Sequence, residues 1–221
     1  MDLGVRVYEL RSPKEGPTRL FLGGLHGREG KTAKPILMRV AADGVPSSGR
    51  TIIIPTLSMG KKYLSTLQES YYETEEGAKV LSLIREYNPS IYVELHCYRH
   101  SAFSSLTSLE RLSKTGVPPM VELEEKMLLG SVSPHLLSRF KFEFSLVLEV
   151  PCRASLKTKM KALRLLNFIK NSENWRAVLE KFKTEYPHQL EKASRLLRGW
   201  LPEGVGARGP PTKSNSENAF I

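Results

Sequence analysis

Short apolar runs occupy the first two thirds of the chain, and segments of helical spacing lie between them. Runs of four to eight β-branched or large apolar residues bounded by turn residues predict buried strands. The predicted strands span residues 5–10, 18–22, 51–55, 91–97 and 142–150. The intervening helical patterns span residues 32–42 and 73–87. Strands that alternate with helices predict a mixed α/β fold with a largely parallel central sheet.

The pattern becomes helical after Pro151. Residues 155–170 form an amphipathic pattern, and residues 173–198 continue as helix with an interruption near Pro187. The predicted core-facing stripe of the first helix is Leu156, Met160, Leu163, Leu166 and Ile169. We therefore expect an α/β domain over 1–152, basic helices packed on it over 153–199, and a flexible tail over 200–221.

The length of 221 residues corresponds to one domain, and the net charge is +10. From residue 153 onward, 14 Lys and Arg residues stand against 6 Asp and Glu residues, which accounts for +8 of that charge. The charges are interspersed rather than blocked, which indicates solvated helix faces. Nucleic-acid binding through these helices is the alternative, although no nucleic-acid motif accompanies them.

Compartment and redox state follow from the apolar runs and the cysteines. No run approaches the ~18 residues of a membrane span, and the first residues lack the pattern of a signal peptide. With Cys97 and Cys152 as the two cysteines, we expect a cytoplasmic protein that holds them as small buried side chains. The alternative is a thiol pair near the site, as an extra metal ligand or a redox-sensitive lock.

The densest chemical signal is residues 21–32, where a strand runs into a glycine-rich turn and then a helix. His26 and Glu29 are three residues apart, so they face the same way in a helical turn. Zinc accepts both ligand types, and its catalytic sites use three protein ligands. His96 follows the apolar strand 91–95, and α/β sheets hold their sites at strand carboxyl ends. His26, Glu29 and His96 are therefore the predicted metal ligands.

Glu149 is the predicted general base because it ends another apolar run, at 145–148. A carboxylate in such a run must be paired, associated with a metal or shifted in pKa. An ion pair with Arg153 is the alternative for Glu149, and a buried salt bridge is the alternative for Glu94. His100, His135 and His188 are expected as ordinary surface residues.

A phosphate-binding loop is the competing interpretation of the glycine-rich turn. Gly30-Lys31-Thr32 resembles the end of the Walker pattern G-x-x-x-x-G-K-[ST]. That pattern requires glycine where Leu25 stands. Glu29 would also bring a carboxylate to the position where backbone N–H groups bind phosphate. Nucleotide binding therefore remains a secondary hypothesis.

The order of an H-x-x-E turn, a strand-end histidine and a later strand-end glutamate resembles the zinc carboxypeptidase superfamily. The G-G-x-H-G-x-E form of the turn is similar to its succinylglutamate desuccinylase/aspartoacylase-like branch, and residues 92–98 resemble its second histidine segment. The resemblance covers residues 18–150 and points to a small archaeal member. It implies zinc on His26, Glu29 and His96, with Glu149 activating water.

The resemblance also implies roles for the residues around the ligands. Arg28 matches a substrate-binding arginine of the carboxypeptidases, and a tetrahedral oxyanion needs a positive partner, for which Arg28 and Arg99 are candidates. Apart from the resemblance, Arg99 is expected to face the site because it follows the His96 strand end closely, and Arg99, Tyr98 and Lys61 are predicted to bind an anionic substrate. Residues 55–63 lack the Asn-Arg pair that holds a terminal carboxylate in carboxypeptidases, which favours deacylation of small molecules over peptide cleavage.

The function predicted from the sequence is therefore a zinc-dependent hydrolase, acting on an N-acyl amino acid or an amide-linked small molecule. The expected partner is a small or peptide-like anionic substrate, with no membrane involved. The alternatives are a non-catalytic metal-binding scaffold of the same fold, or a nucleotide- or nucleic-acid-binding protein.

Overall fold

The computed structural model of the protein describes residues 4–58, 60 and 63–198. Within them, seven strands form one sheet in the order β1-β3-β2-β4-β7-β6-β5. The strands are β1 (Tyr8–Arg11), β2 (Thr18–Gly23), β3 (Arg50–Ile54), β4 (Ile91–Tyr98), β5 (Val121–Glu122), β6 (Leu128–Gly130) and β7 (Phe144–Pro151).

The four central strands β3, β2, β4 and β7 are parallel to one another. The antiparallel pairs are β1 with β3, β6 with β7, and β5 with β6. The prediction of a mixed, largely parallel α/β fold is confirmed. The sequence did not predict β5 and β6, because strands of two and three residues are too short to show a hydrophobic period.

Helices cover both faces of the sheet. They are α1 (Gly30–Ala42), α2 (Glu75–Tyr87), α3 (Phe103–Thr107), α4 (Glu110–Thr115), α5 (Pro134–Leu137), α6 (Leu156–Asn171), α7 (Trp175–Glu185) and α8 (Pro187–Arg198). No helix among the described residues has both the length and the apolar character needed to cross a membrane. The tail predicted over 200–221 lies outside the described residues.

Side chains alternate along β4 and separate two apolar clusters. Ile91, Val93 and Leu95 pack with α1, α6 and α7 on what we call the α1/α6 face. Tyr92 belongs to the cluster on the other side, the α2 face, which includes the apolar residues of α2. Glu94 and His96 follow Tyr92 by two and four residues, so they also lie on the α2 face.

Helix α6 packs through a different stripe from the predicted one. Leu165, Leu166 and Ile169 are in the core, but Leu156 is 76% exposed and Met160 is 57% exposed. The prediction is wrong for the first half of the helix, where Thr158 and Ala162 are the buried residues instead.

The basic charge of α6 and α7 is largely paired. Glutamates 124, 125, 180 and 185 form ion pairs with basic residues of these helices, namely Lys157, Lys161, Arg164, Lys181 and Lys183. Such surface pairs contribute little to stability. They do reduce the free positive charge that these helices could offer to a polyanion.

Candidate metal centre

The turn between β2 and α1 places the first two predicted ligands. Gly24 and Gly27 take φ values of +58° and +57°, a conformation that residues with a Cβ rarely adopt. A Cβ on Gly24 would also lie 2.9 Å from Gly30 Cα. These glycines let the chain turn tightly after β2. His26 and Glu29 lie in that turn, just before α1 begins at Gly30.

His96 joins these two residues from the neighbouring strand β4. One nitrogen or oxygen atom from each of His26, Glu29 and His96 lies within 4.8 Å of the others. Nδ1 of His26 is 3.4 Å from Glu29 Oε1, and Nδ1 of His96 is 3.2 Å from the same oxygen. All three side chains are at most 7% exposed. The structure therefore brings the three predicted ligands into one buried cluster.

The cluster contains buried polar atoms that make no hydrogen bond within the protein. Nδ1 of His26 and Oε2 of Glu29 form none among the described residues, and their nearest polar neighbours are Glu29 Oε1 at 3.4 Å and His96 Nδ1 at 3.2 Å. Burying such an atom without a hydrogen bond lowers the free energy of unfolding by about 1–3 kcal/mol. Burial lowers the pKa of His26 to about 4, so its imidazole is neutral near pH 7. A neutral imidazole and a carboxylate with free lone pairs are the forms that bind a cation.

A second carboxylate orients His96 from behind. Nε2 of His96 lies 3.0 Å from Glu94 Oε2, and Tyr92 donates a hydrogen bond of 2.8 Å to Glu94 Oε1. Burial disfavours charge on His96, but Glu29 and Glu94 outweigh it and raise its pKa well above the ordinary value. With Nε2 directed at Glu94, Nδ1 is the atom directed at the cluster, as in carboxylate–histidine–metal arrangements. The alternative of Glu94 as a buried ion-pair partner thus has a specific partner, His96.

Glu149 lies beside the cluster because β7 is the next strand of the sheet. It pairs with His96 in the β4–β7 register, and its Oε2 is buried with no hydrogen-bond partner among the described residues. Burial raises the pKa of Glu149 to about 8, against the lowering effect of His96. Glu149 forms no ion pair with Arg153 among the described residues; instead its side chain is suited to accept and hold a proton.

Arg111 is a functional candidate that the sequence did not reveal. This residue of α4 is 8% exposed, and its Nη1 donates to the Pro118 carbonyl. Its charge interacts with Glu149 and Tyr63. Arginine in a short polar helix is normally a surface residue, so no local pattern distinguishes it. Only the tertiary structure brings its charge within interaction range of Glu149.

Tyrosines form part of the surroundings of His26. The Tyr63 ring centroid is 4.5 Å from that of His26 in an edge-on contact, and the Tyr71 hydroxyl donates to the Leu25 carbonyl at 2.9 Å. Tyr71 therefore stabilises the turn that carries His26, whereas Tyr63 is 67% exposed and contacts His26 from the solvent side. Neither residue stood out in the sequence.

The structure gives less support to the predicted roles of Arg28, Arg99, Tyr98 and Lys61 than to those of the metal ligands. Arg28 and Arg99 are exposed. Tyr98 is buried, and its hydroxyl donates to the Lys126 carbonyl at 2.6 Å, which commits that proton to a backbone contact. Lys61 lies outside the described residues. Substrate binding by these four residues stays a prediction.

The cysteines are joined rather than separate. Cys97 and Cys152 form a disulfide with Cα atoms 4.8 Å apart. Cys97 packs on the α1/α6 face, opposite His96, and Cys152 is exposed. The expectation of two buried thiols is therefore wrong. A disulfide on the opposite face of the sheet also supplies no thiolate ligand to the cluster.

The start of α1 does not form the predicted alternative, a phosphate loop. Lys31 is exposed, and the Thr32 hydroxyl donates to the Cys152 carbonyl at 2.9 Å. Glu29 directs its carboxylate into the histidine cluster. The three features oppose the Walker interpretation, in which lysine, hydroxyl and free N–H groups converge on phosphate.

The sequence matches, over residues 14–201, the family described as an uncharacterized protein conserved in archaea (DUF2119). The uncharacterized protein MJ0501 of Methanocaldococcus jannaschii is 35% identical over 192 residues, which cover 86% of this chain and 93% of that protein.

Similar solved structures include two from bacteria. One is an aspartoacylase family protein from Mesorhizobium loti, with 16% identity and a TM-score of 0.45 over 75% of this chain. Another is a succinylglutamate desuccinylase from Silicibacter sp. TM1040, with 13% identity and a TM-score of 0.47 over 80% of this chain. In both cases the match covers 60% of the solved chain.

Proposed function

We propose that this chain, which belongs to the archaeal family DUF2119, is a zinc-dependent hydrolase that cleaves an amide bond in an acylated amino acid or a related small anionic molecule. One observation carries the proposal. Two imidazoles and a carboxylate converge in a buried cluster, and buried atoms of His26, Glu29 and the adjacent Glu149 make no hydrogen bond among the described residues. The motif resemblance described above supports the same reaction class.

The residues present fit a zinc ion by the chemistry of their donors. His26 and His96 would each supply Nδ1, and Glu29 would supply a carboxylate oxygen, which is the three-ligand set of a catalytic zinc site. When bound, Zn²⁺ supplies Lewis-acid chemistry: it polarises a substrate carbonyl and lowers the pKa of water toward ~7.

Glu149 carries the proton transfers in this proposal. Its Oε2 accepts the proton of the attacking water and returns that proton to the leaving amine. The pKa of about 8 applies to the chain alone. A cation in the neighbouring cluster favours the charged carboxylate and lowers that pKa, so the side chain is ionised and able to accept a proton near neutral pH.

Arg111 is proposed to bind the negative charge of the substrate or of the tetrahedral oxyanion. It is buried, its charge interacts with that of Glu149, and one guanidinium N–H group is fixed by Pro118. A buried cation acts in a lower dielectric than an exposed one, so it stabilises a developing oxyanion more strongly. The exposed Arg28 and Arg99 have less support for that role.

Metal content is the first test. Protein purified without a histidine tag should hold about one zinc per chain, and His26→Ala/Glu29→Ala should lose it. His188→Ala, which alters an exposed histidine on α8, is the matched control and should retain it. Absence of zinc from the wild type, even after zinc is offered, would contradict the proposal.

Activity separates the hydrolase from a non-catalytic scaffold. Glu149→Gln should keep its zinc and lose a factor of about 10²–10⁴ in the hydrolysis of N-acyl amino acids, because the side chain no longer accepts a proton. Equal rates for the wild type and Glu149→Gln across a panel of N-acyl amino acids and small amides would favour the scaffold.

A further inference from the structure

The Cys97–Cys152 disulfide lies where three elements of the candidate metal centre meet. Cys97 follows His96 directly on β4, and Cys152 comes three residues after Glu149, just beyond β7. The Cys152 N–H donates to the Tyr98 carbonyl at 2.9 Å. The disulfide therefore links the carboxyl ends of β4 and β7 covalently. These two strands carry His96 and Glu149 at paired positions.

The same disulfide also connects to Glu29 through two hydrogen bonds. The Thr32 hydroxyl donates to the Cys152 carbonyl at 2.9 Å, and the Thr32 N–H donates to the Glu29 carbonyl at 2.8 Å. The first turn of α1, which follows two of the ligands, is thus attached to the segment that Cys152 occupies. One covalent bond therefore restrains the ends of β4 and β7 and the start of α1.

We propose that Cys97–Cys152 is a thiol–disulfide exchange site whose redox state controls metal retention by the His26–Glu29–His96 cluster. The inference rests on the proposed function, since it takes zinc to be the ion held there. While the bond is closed, the strand ends stay in register and the ligand atoms stay together. When it is open, strand ends fray as termini of ladders do, and His96 loses its fixed position.

The exchange needs a dithiol as reductant, and the exposure of Cys152 indicates which cysteine the dithiol attacks. A thiolate of the dithiol attacks the sulfur of Cys152, which is the exposed partner, and Cys97 leaves as a thiolate. The second thiol of the reagent then attacks the mixed disulfide and releases Cys152. Two electrons and two protons pass from the dithiol to the cysteines, and the reagent becomes a cyclic disulfide.

The test measures zinc affinity by competition with a chromophoric chelator in three preparations of the full chain. These are the oxidised protein, the protein reduced with a dithiol and desalted without oxygen, and Cys97→Ser/Cys152→Ser. We expect zinc binding at least about tenfold weaker in the reduced protein and in the double variant, in line with other losses of ligand positioning. The same reduction of the double variant is the matched control and should change nothing.

Amide hydrogen exchange of the zinc-free protein gives a second readout that requires no metal. Reduction should accelerate exchange in residues 95–98 and 149–152 while leaving β3 unchanged. Equal zinc affinity in the oxidised and reduced proteins, or two free thiols in the protein as first folded, would overturn the inference. No zinc in any preparation would contradict the proposed function instead, and the exchange rates would then decide alone whether the bond restrains the strands.

Discussion

At the scale of single residues, the candidate site is a balance between burial and charge. His26, Glu29 and His96 are buried, and so is Oε2 of Glu149, so each of these ionisable groups is sensitive to the charge of the others. Burial keeps His26 neutral, whereas the carboxylates around His96 raise its pKa. Glu149 has no compensating hydrogen bond on Oε2 among the described residues. Its ionisation in the metal-free chain is consequently unfavourable.

This imbalance predicts a pH dependence of stability. The pKa of Glu149 rises from 4.5 to about 8 on folding, so the folded chain holds a proton that the unfolded chain has released between those values. The stabilisation that the protonated Glu149 carboxyl gives to the folded chain is complete below pH 4.5, and it is lost as the pH rises through about 8. We expect the melting temperature of Glu149→Gln, which does not ionise, to exceed that of metal-free wild type by an amount that grows from pH 5 to pH 8 and reaches at least about 2–4 °C.

Thermal melts of both proteins at several pH values in a chelating buffer provide the measurement. Glu122→Gln, a change at a partly exposed glutamate paired with Lys126, is the control and should show no such trend. A difference between Glu149→Gln and wild type that stays constant with pH would show that Glu149 is not perturbed by burial.

At the scale of elements, two buried cations attach helix ends to the rest of the protein. Arg19 on β2 is fully buried and donates to the carbonyls of Ile169 and Ser172 at the end of α6. Lys170 on α6 donates to the carbonyls of Val40, Asp43 and Gly44 at distances of 3.0–3.1 Å. The last carbonyls of a helix lack partners within it and carry its negative dipole end, so cations are favourable there.

Lys170→Met should therefore destabilise the protein by about 3 kcal/mol, because the carbonyls at the end of α1 lose a charged donor while the apolar stem is preserved. Urea unfolding of the metal-free protein measures this loss. Lys159→Met, on the same helix but only partly buried, is the control and should change stability by about 0.5 kcal/mol or less. Equal effects from both changes would mean that the carbonyls find other partners.

At the scale of the whole molecule, the candidate site exists because β2, β4 and β7 are adjacent and parallel. Their carboxyl ends meet at one edge, which is where open α/β sheets place their ligands. Residues 26, 96 and 149 are far apart in the chain and meet only through this topology. A ligand that joins two of these segments should therefore stabilise the whole fold.

Zinc should raise the melting temperature of the protein for this reason. A ligand at about 1,000 times its Kd adds about 4 kcal/mol to the folded state, which corresponds to roughly 8–16 °C for a chain of this size. Calorimetry of the metal-free protein with and without added zinc measures the shift. His26→Ala/Glu29→Ala should show no shift, and an equal shift in that variant would place the bound zinc elsewhere.

The sequence by itself determined the features that depend on neighbouring residues. Long apolar runs predicted the central strands, because a strand buried on both faces needs a continuous apolar segment. The H-x-x-E spacing predicted two of the clustered side chains, since three residues make almost one helical turn. Strand ends similarly predicted His96 and Glu149, because parallel strands end at one edge of the sheet.

Only the tertiary structure decided the features that depend on contacts between distant segments. It selected Thr158 and Ala162 over Leu156 and Met160 as the packed stripe of α6, because the neighbouring elements determine which side of a helix is buried. It paired the two cysteines, whose Cα separation no spacing reveals. It also brought Arg111 toward Glu149, because the burial of a charged side chain depends on the segments that fold over it rather than on the residues beside it.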